Sequence, residues 1–144
     1  MRYTLYFAYG SNMNARQFKA RCPASFFLGR ATLPKYRFII MSAGYASVVP
    51  KARSVVHGTL YAITAKDERT LDRYEGVHQK EYRREWLEVV TDAGAAIPAL
   101  IYIAREEDAG LPRKGYLEKI LAGAKHRRLP SSYIAEIRRW AKKN

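Results

Sequence analysis

Two short stretches hold residues whose types and spacing could do chemistry. In YTLYFAYGSNMN, residues 3–14, an apolar strand-like run breaks at Gly10, Ser11 and Asn12, and a helical pattern begins two to four residues after the glycine. Backbone N–H groups at such a junction lack intrahelical partners and can turn toward a carboxylate or a developing oxyanion. Glycine suits the place because it adopts positive φ and lets a ligand approach the backbone, and positive φ is expected at Gly10. The second stretch is LDRYEGV, where Glu75 ends a short helical pattern directly before Gly76. The helix dipole presents partial negative charge there, and lysine or arginine is the usual occupant. Misplacement and burial would both raise this carboxyl from its ordinary value of about 4.3 toward the range useful for moving protons near neutral pH. The alternative at Glu75 is a surface carboxylate paired with one of the many arginines.

Other chemistries find less support. A dinucleotide fingerprint needs three glycines at fixed spacing and a phosphate loop needs a following Gly-Lys-Ser/Thr, and neither is present. Ser11 lacks the Gly-x-Ser-x-Gly context of a nucleophile elbow. His57, His78 and His126 have no metal-ligand spacing, and the single Cys22 can form neither a zinc cluster nor an internal disulfide, so no metal and no cofactor is expected. Eleven tyrosines are many for this length. Tyr82, Tyr102 and Tyr116 fall near expected strand or helix starts, where packing of core and rim is the commoner role of an aromatic.

The elements that must position these residues follow from periodicity. β-branched and aromatic runs predict strands at 3–8, 36–42, 54–64, 81–92 and 95–104, with Asp92, Ala93 and Gly94 as a hairpin turn. Helices are expected at 14–21, capped by Asn14 and ended by Cys22-Pro23, and at 64–76, with Thr64 as N-cap, Asp67 at N3 and Gly76 just past the end. A third covers KGYLEKILAGAKHRR with Leu117, Ile120, Leu121 and Ala124 on one face, and a fourth covers 131–143 with Ile134, Ile137 and Ala141 aligned. Short strands with helices between them and grouped at the end give an α+β fold, a curled sheet or barrel flanked by helices. Hairpin-length links outnumber helical crossovers, which disfavours a doubly wound parallel sheet.

The chain has 144 residues and 48% hydrophobic composition, enough for one core, and 1–144 is taken as a single domain. It shows no apolar run of membrane-spanning length and no leader-like start, so a soluble, unsecreted, cytoplasmic protein is expected. Lysines and arginines number 26 against 13 acids, a formal charge of +13. The excess is greatest in residues 113–144, where Arg113, Lys114, Lys119, Lys125, Arg127, Arg128, Arg138, Arg139, Lys142 and Lys143 face only Glu118 and Glu136. Such a segment attracts polyanions, and a non-enzymatic nucleic-acid-binding protein is the rival reading. A solvated basic face that concentrates an anionic substrate is the preferred one.

Taken jointly, YFAYGSNM, LDRYEGV and GYLEKILAGAKHRRLPSSYI resemble, in order and approximate spacing, the γ-glutamylcyclotransferases of the AIG2-like superfamily, with similarity from about residue 3 to 137. The resemblance implies a small mixed β-barrel with flanking helices, often a homodimer, that converts γ-glutamyl amides into 5-oxoproline and a free amine. It implies Glu75 as catalytic acid-base, a substrate-cradling loop of Tyr6, Phe7, Ala8, Tyr9, Gly10, Ser11 and Asn12, and pocket tyrosines Tyr82, Tyr102 and Tyr116. The Tyr-Gly-Ser-Asn form is similar to the branch acting on γ-glutamyl dipeptides rather than to relatives with Tyr-Gly-Thr-Leu, which act on γ-glutamylamines, or to those tuned to glutathione. The basic excess and the KHRRLP loop depart from the pattern and leave another γ-glutamylated metabolite open as the substrate.

Overall fold

The computed structural model describes residues 2–142; Lys143, assigned above to the basic segment and the last helix, lies outside them. Five strands, β1 (Thr4–Ala8), β2 (Phe26–Ile40), β3 (Ala46–Ile63), β4 (Tyr82–Thr91) and β5 (Ala96–Ala104), close a barrel in the order β1-β3-β2-β4-β5. All neighbours run antiparallel except β5 and β1, which meet in parallel at Tyr6 and Leu100. The barrel is therefore mixed, and its closure leaves no open edge. Phe7, Leu33, Ile39, Ile40, Ile63, Leu100 and Ile101 are among the fully buried side chains that fill the core. Among the described residues no helix is long and apolar enough to cross a membrane.

The largest departure from expectation is the length of β2 and β3. Ten residues of β2 precede the expected start at 36, and eight of β3 precede 54. Gly29, Pro34 and Pro50 read as strand breakers, but the hairpin takes them up in irregularities between Phe27 and Gly29 and between Pro34 and Tyr36. Lys35 and Arg53 sit at these offsets with φ of 67° and 65°.

Two helices fall where their predicted caps place them. Helix α1 (Ala15–Arg21) follows a 3-10 turn at Ser11–Met13, and the Asn14 side chain accepts from the Gln17 N–H at 3.1 Å. Helix α2 (Ala65–Tyr74) is capped by Thr64, which accepts from the Asp67 N–H at 3.1 Å. Helix α3 (Tyr116–His126) seats on the 3-10 turn through Gly123, where a Cβ would lie 2.5 Å from the Met13 carbonyl carbon. Helix α4 (Ser131–Arg138) buries Ile134 and Ile137 but tightens into a 3-10 turn at Arg139–Ala141. That change of pitch moves Ala141 off the apolar face, so it is exposed rather than aligned with the two isoleucines.

Helix α2 is clamped to the barrel by charge. Arg84 of β4 bonds Asp72 through both carboxylate oxygens at 2.9 and 3.0 Å and also pairs with Glu68. Glu68 accepts from Thr4 Oγ1 at 2.8 Å, and Asp72 accepts from Tyr102 Oη at 2.6 Å. Three strands thus fix the helix whose C-cap is Glu75.

Candidate active site

The strand-to-helix break at Gly10 and the end of α2 meet at one cavity. An inner chamber of about 30 Å³ is lined by Tyr6, Tyr9, Gly10, Ser11, Asn12, Ala46, Glu75, Tyr82, Tyr102 and Tyr116. Ser11, Glu75, Tyr82 and Tyr116 also wall a vestibule of about 530 Å³, with Arg21, Arg113 and Lys119 on its sides. The chamber admits only the tip of a ligand, since sites that hold a whole small molecule run to several hundred Å³. The body of any substrate must therefore occupy the vestibule.

Glu75 is delivered by a tight helix end. Its N–H donates to Leu71 O at 2.8 Å, and Gly76 follows at φ 62°, where the left-handed turn excludes a β-carbon and lets Glu81 pack against the backbone. Among the described residues no ion pair or hydrogen bond engages its carboxylate, so the surface-pair alternative does not hold in this geometry. Desolvation raises its pKa to about 7; the nearby Arg21 pulls the other way and Glu81 adds to the rise. A carboxyl near 7 can both take and give a proton at neutral pH.

The tyrosines are fixed by internal bonds. Tyr9 Oη donates to Tyr102 O at 2.6 Å and Tyr82 Oη to Ala46 O at 2.6 Å. Tyr116 Oη instead accepts from the Ala46 N–H at 3.0 Å, which leaves its own proton to donate into the cavity. Burial pushes the Tyr116 hydroxyl up to about 12 and also raises those of Tyr6, Tyr9 and Tyr82, so all remain neutral donors. Burial also raises Tyr102, assisted by its bond to Asp72. Cys22 is buried, and its thiol is pushed up to about 12 by desolvation, so it supplies no thiolate nucleophile at neutral pH. Among the described residues no three His, Cys, Asp or Glu side chains are grouped to hold a metal ion.

Four sequence expectations need adjustment. Phe7 and Ala8 do not line the cavity: Phe7 lies on the opposite strand face from Tyr6, and Ala8, on the same face, ends in a methyl group. Gly10 has φ −113°, not a positive value. What glycine provides is room, since a Cβ would stand 3.4 Å from both Tyr116 Oη and Ala46 Cβ. Finally, the side chain of Asn12 is already engaged, donating to Tyr6 Oη at 2.9 Å and accepting from Arg21 at 2.8 Å. Asn12 thus braces the wall of the chamber. Tyr102 sits near the end of its strand rather than at a start.

Two of the residues that escaped the sequence reading bear directly on the chemistry. Ala46 contributes only its backbone amide and carbonyl, which leave no side-chain signal. Arg21 reads as an ordinary cation in the last turn of a helix. In the structure it lies over the Tyr74 ring at 4.2 Å and within electrostatic reach of Glu75.

Fold and cavity together define a class: a small mixed five-stranded barrel, with helices packed outside it and a chamber of tyrosines, turn amides and one unpaired carboxylate. The family model described as the AIG2-like family matches residues 55–137, more than half of the chain, and the chain belongs to that family. Human γ-glutamylcyclotransferase is 26% identical to it over 144 residues, covering 93% of this chain and 77% of that protein. The mouse γ-glutamylcyclotransferase is 27% identical with the same coverage. A solved γ-glutamyl cyclotransferase structure superposes with a TM-score of 0.89 at 25% identity, over 95% of this chain and 87% of that one.

Proposed function

We propose that the chain is a γ-glutamylcyclotransferase acting on γ-glutamyl dipeptides and releasing 5-oxoproline and an amino acid. The observation that carries the reading is Glu75, a carboxyl without an ion-pair or hydrogen-bond partner among the described residues, raised to about 7, beside the turn at Gly10 and Ser11. In the reaction the substrate's α-nitrogen attacks its own γ-carbonyl, so the enzyme needs no nucleophile. It needs a folded substrate and a proton carrier.

Ionised Glu75 takes a proton from the attacking α-ammonium. The nitrogen lone pair forms the new C–N bond, and the carbonyl π electrons move to oxygen. The oxyanion is met by the backbone N–H groups of Gly10 and Ser11 or by the Tyr116 hydroxyl. When the intermediate collapses, the C–N bond to the leaving amine breaks as Glu75 gives its proton to that nitrogen, and Glu75 then carries the second proton of the ring nitrogen to the freed amine, which departs as an ammonium. The carboxyl ends as it began, with no covalent enzyme intermediate.

The test is product identity. Purified protein incubated with γ-glutamyl dipeptides should release 5-oxoproline and amino acid in equal amounts, resolved by chromatography. Appearance of glutamate in place of 5-oxoproline would mean hydrolysis and would overturn the cyclisation. No product from any dipeptide, with turnover of another γ-glutamylated metabolite, would move the activity to that substrate.

A further inference from the structure

We infer that this site prefers γ-glutamyl amides whose leaving half carries negative charge beyond a single α-carboxylate, that is, γ-glutamyl derivatives of acidic amino acids. The inference rests on the γ-glutamyl reading above. It starts from three cations on the vestibule wall, Arg21, Arg113 and Lys119.

Two of these guanidinium groups are held in place by neutral partners alone. Arg21 bonds Asn12 Oδ1 at 2.8 Å and lies 4.2 Å from the centre of the Tyr74 ring. Arg113 Nε donates to Ala43 O at 3.1 Å, its backbone N–H donates to Gly44 O at 3.1 Å, and its guanidinium stands 4.9 Å from the centre of the Tyr45 ring. Tyr45 packs edge-to-face on Tyr116, which ties Arg113 to the chamber wall. Three other arginines are neutralised instead, Arg30 by Asp92, Arg83 by Glu85, and Arg84 by Glu68 and Asp72. Among the described residues neither Arg21 nor Arg113 forms an ion pair. They are oriented in advance and retain donors that match a carboxylate.

Unpaired donors then select the ligand. The vestibule holds two acids, Glu75 and Glu81, against the three cations, and among the described residues neither acid pairs with Arg21 or Arg113. A γ-glutamyl half is a zwitterion with no net charge, so carboxylates for these two guanidinium groups must come from the leaving half. A simple amine brings no negative charge, a neutral amino acid brings one and an acidic amino acid brings two. Because Glu75 borders both chamber and vestibule, an amide placed at Glu75 with its glutamyl tip inward directs its leaving half toward these cations.

The experiment compares kcat/KM for γ-glutamylglutamate, γ-glutamylaspartate, γ-glutamylalanine and γ-glutamyl methylamide at low and high salt. The acidic dipeptides should lead γ-glutamylalanine by about 10-fold at low salt, with the methylamide last. The lead should shrink as sodium chloride screens the exposed rim cations. Arg113→Gln should reduce the acidic-to-alanine ratio about 5-fold, mainly through KM, and Arg113→Lys should restore part of it. Arg37→Gln, on a groove sharing no wall residue with this site, should leave the ratio unchanged. γ-Glutamylalanine turned over as well as the acidic dipeptides, or a ratio that survives in both Arg113→Gln and Arg21→Gln, would overturn the inference alone. Absence of 5-oxoproline from every compound would instead sink the γ-glutamyl reading beneath it.

Discussion

The molecule has two polar concavities of nearly equal size, and they differ in how their charges are kept. The vestibule above Glu75 is about 530 Å³, and a groove between the β2–β3 hairpin and helix α4 is about 550 Å³. The groove is the more basic of the two, with Arg37, Lys51, Arg53 and Arg139 around Trp140 and only Glu136 opposing them. All four cations are exposed, so water solvates them and they hold ordinary surface charge. The vestibule leads instead to an inner chamber where hydroxyls are pinned by backbone groups and one part-buried carboxyl has no ion-pair or hydrogen-bond partner among the described residues. Volume and charge do not separate the two concavities. What separates them is a group that burial moves off its ordinary protonation, held among dipoles that cannot turn away.

That contrast breaks most sharply at Glu75. Glu75→Gln keeps the shape and removes the proton carrier from both halves of the reaction, so kcat should fall by about 10³-fold or more while dipeptide binding, followed by calorimetry, is retained. An unchanged rate of 5-oxoproline release would assign the proton transfers elsewhere. In the parent protein kcat/KM should rise with pH up to about 7, because the free enzyme must hold Glu75 ionised to accept the ammonium proton.

The same group links pH to stability, with a sign that can be worked out. Its pKa is raised on folding, from the ordinary 4.5 to about 7. Below 4.5 the carboxyl is protonated in both states and exerts no pull toward unfolding. Between 4.5 and 7 the unfolded chain ionises while the folded one resists, so stability is lost across that window and the loss is complete above it. The part-buried position limits the effect to no more than about 3 kcal/mol. Glu75→Gln should therefore melt higher than the parent at pH 8, and the two should converge near pH 4. A variant less stable than the parent at pH 8 would show that the carboxylate is satisfied in the folded state.

How far the sequence exposed this arrangement depended on whether a residue looked out of place. Glu75 was legible because a carboxylate at a helix C-terminus contradicts the dipole. Arg21, the cation nearest to it in effect, was hidden because it obeys the same rule at the end of α1. The helices were legible through their caps, Asn14 and Thr64, whose side-chain bonds are local. The first ten residues of β2 were not, because Gly29 and Pro34 signal a break that the partner strand absorbs through bulges. Ala46 acts through backbone atoms that meet Tyr116, 70 positions away, and Tyr82, 36 positions away, long-range contacts that no local pattern carries.

Gly10 lies between these cases and predicts an intermediate effect. With φ −113° the backbone accepts an alanine without left-handed strain, so Gly10→Ala should fold and melt close to the parent. Its new methyl would enter the chamber at 3.4 Å from Tyr116 Oη, a hydroxyl that accepts from Ala46 and keeps its own proton to donate. Turnover should drop about 10-fold with little change in stability, the loss expected from displacing one hydrogen-bond donor. Loss of folding, rather than of rate, would return the glycine to a conformational role.

The smallest effect is expected at the other concavity. Arg37→Gln combined with Arg53→Gln removes two of its cations from exposed positions at the hairpin and leaves Trp140 packed edge-on against Phe38. No hydrogen bond or ion pair joins these two side chains to the chamber among the described residues, and screening at physiological salt, about 8 Å, mutes the field they project through solvent. Turnover of γ-glutamylalanine at that ionic strength should stay within about 2-fold of the parent. A larger drop would mean that the two concavities communicate through the barrel wall, and the local account of the chamber would have to be extended to the β2–β3 hairpin that joins them.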